Sequence, residues 1–126
     1  MNHTIAESKE FCSHSADMIK LAAEKGIDIG VAPSYLSLQT VKENAGNMIV
    51  AAQDCHFANH GAYTGFVSIP MIKELGIDWC LVGHSERRLY AAETSLTCNR
   101  KIKALIENKM TVVYCVGESL ADFESG

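Results

Sequence analysis

The sequence predicts an α/β fold built on a parallel sheet. Four short apolar runs recur between helix-like, charge-bearing segments, and each run is apolar on both faces, as strands covered on two sides must be. The spacing of the elements fits repeated βα units. Periodicity leaves two architectures open, a doubly wound open sheet or part of a (β/α)8 barrel.

From about Glu7 to Lys25 the pattern predicts one helix, with Phe11, Met18 and Ala22 on one side and Gly26 as its stop. Ile27 to Ala32 reads as a strand ended by Pro33. Ser37 is placed to cap a short helix through Val41 to Ala45, closed by Gly46. Met48 to Gln53 is the next strand. A polar loop from Asp54 to Gly65 follows, then a helix capped by Ser68 with Pro70 in its first turn and Gly76 at its end. Asp78 to Val82 is the third strand. The helical segment after it breaks near Glu93-Thr94 and runs to Asn108. Met110 to Val116 is the fourth strand, and Ser119 opens a last helix.

In either architecture, functional groups gather just beyond the carboxyl ends of the strands. Three of the four ends carry acid, base or hydrogen-bonding groups: Gln53-Asp54, Gly83-His84-Ser85-Glu86 and Gly117-Glu118. His84 is the leading candidate, because it follows a strand-ending glycine and stands where a helix begins. Free backbone N–H groups at a helix start carry partial positive charge and favour a neutral imidazole. Such an imidazole suits hydrogen bonding to a carbonyl oxygen. Glu86 puts a carboxylate in the first turn, near enough to join proton traffic. A Ser85–His84 nucleophile pair is disfavoured, since neighbours on a starting helix point in different directions.

Composition excludes several classes. A net charge of −4 offers no basic surplus for nucleic acid or an anionic membrane. The polar start, Met1 to Thr4, does not read as a signal peptide, and no apolar run approaches the ~20 residues needed to span a bilayer. Five widely spread cysteines without a C-x-x-C pair point to a reducing, cytoplasmic setting, with Cys55, Cys80 and Cys115 in apolar runs as small buried thiols. His56 and His60 have an H-x-x-x-H spacing, but Asn59, Gly61 and the missing glutamate mark them as surface loop histidines and not a metal site. Gly61-Ala62-Tyr63-Thr64-Gly65 reads either as a solvent turn or as a protruding contact loop. No phosphate-cradling glycine motif is present.

Several stretches, in order and spacing, resemble the triosephosphate isomerase family: Val31-Ala32-Pro33, Ala51-Ala52-Gln53-Asp54 followed by Gly61 to Gly65, Leu81-Val82-Gly83-His84-Ser85-Glu86-Arg87-Arg88, and Cys115-Val116-Gly117-Glu118. The resemblance covers essentially the whole chain. It implies a partial (β/α)8 TIM barrel comprising the family's strands two to five, in a cytoplasmic homodimer that interconverts dihydroxyacetone phosphate and glyceraldehyde 3-phosphate without cofactor or metal. It implies that His84 is the electrophile and Glu86 a supporting carboxylate. Ser85 and Cys115 would stand behind them as neighbouring support, and Gln53, Thr64 and Arg87 would belong to the dimer interface. A whole barrel of this type takes about 250 residues. The family's asparagine–lysine motif, glutamate base and phosphate-gripping loops are therefore expected outside these 126 residues. Two positions depart from the family pattern. Phe66 stands where a glutamate is usual, which puts the usual ion pairing of Arg87 in doubt, and Asp54 stands where asparagine is commoner.

Overall fold

Hydroxyl side chains start three of the helices. Thr4 accepts from the Glu7 backbone N–H and receives the Glu7 carboxylate on its own, opening α1 (Ile5–His14). Thr94 and Thr97 form the same reciprocal cap on α6 (Ser95–Glu107), and Ser119 with Asp122 on α7 (Leu120–Ser125). In the computed structural model, which describes residues 2–126, the remaining elements are α2 (Ala16–Glu24), β1 (Gly30–Val31), a 3-10 turn at Tyr35–Ser37, α3 (Leu38–Asn44), β2 (Ile49–Ala52), α4 (Ile69–Glu74), β3 (Trp79–Val82), α5 (Ser85–Tyr90) and β4 (Thr111–Tyr114).

The single helix expected over residues 7–25 is divided at Ser15. Its hydroxyl donates to the Phe11 carbonyl at 2.7 Å, and Ser13 does the same to Glu10. Such back-bonding competes with the helical ladder and breaks it. The first strand is only two residues long, not six, although Ile29 extends its contact by accepting from Ile49 N–H. Ser37 and Ser68 precede helices as expected, but neither side chain makes a capping bond.

All strand pairs are parallel, in the order β1-β2-β3-β4, each strand beside its neighbour in sequence. A doubly wound sheet reverses direction at a switch point; this one does not. The order selects part of a (β/α)8 barrel over the open sheet.

The packed side of the sheet meets the helices through Leu38, Val41, Ile69, Ile72, Ile77 and Leu105, all essentially inaccessible to solvent. Each such side chain is worth roughly 1.5–3 kcal/mol of burial. Cys55 and Cys80 lie in this core, and all five cysteines are free. Residues of β4 are mostly exposed. No helix among the described residues is long and apolar enough to cross a membrane.

Candidate active site at the strand ends

The site is set up by Gly83. Its φ of +78° turns the chain out of β3, and a Cβ there would lie 2.9 Å from an Arg88 nitrogen, 3.0 Å from the Tyr114 ring and 3.1 Å from the Cys98 sulfur. Only glycine satisfies both the backbone conformation and the space. The next residue, His84, is then the N-cap of α5, with extended backbone and its Nδ1 accepting from the Glu86 backbone N–H at 3.3 Å.

This bond fixes the imidazole's tautomer. A nitrogen that accepts carries no proton, so the proton of a neutral ring resides on Nε2. The Glu86 carboxylate lies 3.7 Å from the same Nδ1. That approach is an ion pair only when the ring is protonated. The His84 side chain remains 43% exposed, leaving Nε2–H available to a ligand.

Arg88 holds this turn from behind. Its Nε donates to the Gly83 carbonyl at 2.8 Å and an Nη to the Tyr114 hydroxyl at 3.1 Å, while the guanidinium lies 5.9 Å from the Tyr114 ring centroid. His84, Ser85, Cys115 and Glu118 line one cleft beside β4. His84 also borders a second cleft with Gln53, Asp54, Glu86 and Arg87, beside β2. The imidazole thus stands between the ends of two strands. Cys115 is half-buried just past β4, tied by its N–H to the Val82 carbonyl, and Gln53 donates to the Ala32 carbonyl at 2.9 Å. Thr64 is exposed in the loop after β2.

With Phe66 in place of the family's glutamate, Arg87 finds its charge partners elsewhere. It does not lack an acidic partner: its Nε lies 2.8 Å from Asp54 Oδ2 and 3.4 Å from Glu93 Oε2. The contact is one of charge, since Nε–H makes no hydrogen bond and Glu93 Oε2 accepts none. Lys101 completes the group, donating to Asp54 Oδ1 at 2.7 Å and to Glu93 Oε1. Two carboxylates and two cations make a neutral quartet, with Asp54, Glu93 and Lys101 all buried. Burial works to lower the Lys101 pKa, but the bonds and charges of Asp54 and Glu93 outweigh it and raise it. Lys101 is therefore charged at neutral pH. Glu93 and Lys101 escaped the sequence analysis. Asp54, noted as a strand-end group and as a departure from the family pattern, was the available signal for the quartet.

His56 also differs from expectation. It is buried, not a surface histidine, with ring centroids of Tyr63, Phe57 and Phe66 at 4.2, 4.3 and 4.6 Å, and its Nε2 has no partner. His60 is exposed. Burial first, then Lys101, lowers the His56 pKa from 6.5, against an opposing pull from Asp54. A depressed pKa means the fold favours the neutral ring. That contribution to stability is complete above pH 6.5 and is lost as pH falls through the lower folded value. Urea midpoints are therefore expected to fall below pH 6.5, with a shallower decline in His56→Phe; equal slopes in both proteins would contradict this.

A parallel sheet wound in one direction, with its polar groups beyond the strand carboxyl ends, defines a segment of a (β/α)8 barrel. Comparison with known proteins makes this specific. A family model described as triosephosphate isomerase matches residues 1–126, and the chain belongs to that family. Among relatives named triosephosphate isomerase, that of Chlorobium chlorochromatii is 42% identical over 130 residues, covering all of this chain and 50% of the relative. That of Mycoplasma capricolum is 47% identical over 100 residues, covering 79% of this chain and 40% of the relative. The Streptococcus pneumoniae protein is 42% identical over 128 residues, again covering all of this chain and 50% of the relative. The chain spans about half the length of the curated relatives it matches.

Proposed function

We propose that this chain supplies strands two to five of a triosephosphate isomerase, which interconverts dihydroxyacetone phosphate and glyceraldehyde 3-phosphate through an enediolate. The observation that carries the reading is the occupied Nδ1 of His84, which leaves a neutral Nε2–H to donate. Triosephosphate isomerase is the standing example of a neutral histidine at a helix start polarising a substrate carbonyl. Here His84 would bond the carbonyl oxygen and hold the enediolate as its charge develops, the point at which a donor lowers the barrier. Glu86 serves as the supporting carboxylate, with Ser85 and Cys115 shaping the site around it. Gln53, Thr64 and Arg87 belong to the wall on which a homodimer forms, and the enzyme works in the cytoplasm without cofactor or metal.

The base that removes the proton and the loops that grip the phosphate lie in the rest of the barrel. Losing a positioned base alone costs a factor of about 10²–10⁴ in rate. Losing the phosphate grip removes the binding energy that positions the substrate. A coupled assay with dihydroxyacetone phosphate is thus expected to show turnover by the complete polypeptide and none by the 126-residue chain alone. An inactive complete polypeptide would reject the function, and robust turnover by the short chain would reject this division of labour.

A further inference from the structure

We propose that Asp54 is a positioning residue for His84, acting through the side chain of Arg87. The inference rests on the isomerase reading for its kinetic consequence, but its geometry stands apart from it. Arg87 is bound to His84 through the main chain, its N–H donating to the His84 carbonyl at 2.9 Å. Its side chain reaches back to the Asp54 carboxylate at 2.8 Å. Asp54 is itself held at three points. Its backbone carbonyl accepts from the Tyr35 hydroxyl at 2.6 Å, its Oδ1 accepts from Lys101, and its chain leaves directly from β2.

The pair, together with Tyr35, borders two clefts, one shared with Gln53, Glu86 and His84 and the other with Thr64 and Phe66. Helix α5 is six residues long and buries none of its side chains. So short a helix has little cohesion of its own, and side-chain anchors decide where its first turn stands. Arg88 supplies one anchor toward β4. The Asp54–Arg87 link is the matching anchor toward β2. A donor aimed at a developing oxyanion depends on such fixing, because small displacements of a reacting group are costly in rate.

The test is a double-mutant cycle of Asp54→Asn and Arg87→Gln in the complete polypeptide, with kcat, KM and the His84 imidazole NMR signals as readouts. Each single variant is expected to lower kcat roughly tenfold with KM within about twofold, and to shift the His84 signals. The double variant should lose clearly less than the sum of the singles, since both break the shared Asp54–Arg87 link. Additive losses, or unchanged kcat and unchanged His84 signals, would overturn the proposal. Should Asp54→Asn fail to fold, Arg87→Gln, whose side chain is one-third exposed, is judged by the same split. Should the parent show no isomerase activity, the function fails separately. The His84 signals of the 126-residue chain and its Arg87→Gln variant then decide the positioning alone.

Discussion

Replacing the buried Lys101 with methionine is expected to destabilise the fold by about 3–5 kcal/mol. Methionine keeps most of the side-chain volume, so the loss isolates the charge. Lys101 bonds both Asp54 and Glu93, and all three are buried. Removing the ammonium leaves two buried carboxylates sharing Arg87, which is one-third exposed and only 2.8 and 3.4 Å from them by charge contact. Uncompensated buried charge is what makes breaking such a group costly, whatever its net worth when intact. Against a typical domain stability of ~5–15 kcal/mol, the change should be plain in urea unfolding.

Two features separate this from ordinary loss of packing. Burial already presses the Asp54 pKa upward, and the Lys101 hydrogen bond is the foremost influence opposing it. Without Lys101 the Asp54 pKa should climb further. A raised folded pKa favours the protonated fold, so the variant should recover stability as pH falls from 7 toward 5. Second, adding Glu93→Gln to Lys101→Met should restore part of the loss, since the remaining charges balance. A Lys101→Met protein within about 1 kcal/mol of the parent at pH 7 would show that the quartet is not closed to solvent.

The same residues show what a linear sequence can and cannot disclose. His84 was legible because its chemistry is local: strand, glycine, histidine and helix start follow one another, and the turn they dictate is the one observed. Most helix starts and stops were legible for the same reason. Lys101 was not, because Arg100-Lys101-Ile102-Lys103 reads as a solvated face, and its burial depends on Asp54, 47 residues away. Phe66 signalled that the usual partner of Arg87 is gone, but not that Asp54, across the strand ends, supplies the carboxylate instead. His56 sits in a polar loop, and only folding brings Phe57, Tyr63 and Phe66 around its ring. The barrel-or-open-sheet question turned on strand order, a long-range property that helix and strand periodicity does not encode.

In the complete polypeptide, His84→Asn is expected to lower kcat by about 10²–10³ while leaving the fold intact. The choice of asparagine follows from the two jobs of His84. Its Nδ1 caps α5 by accepting from Glu86 N–H, and asparagine is among the best side chains for that position. Its Nε2–H is the group proposed to meet the substrate carbonyl, and the shorter asparagine side chain does not extend to the Nε2 position. The substitution therefore separates capping from chemistry. Stability should change by no more than ~1 kcal/mol, the range over which good caps differ from poor ones. A donor that strengthens its bond only as charge develops affects turnover more than affinity, so KM should move far less than kcat. Wild-type turnover in a folded His84→Asn protein would remove His84 from the reaction. A fold lost with the imidazole, although asparagine can supply the capping bond, would mean that this turn requires the ring itself and that capping and chemistry are not separable here.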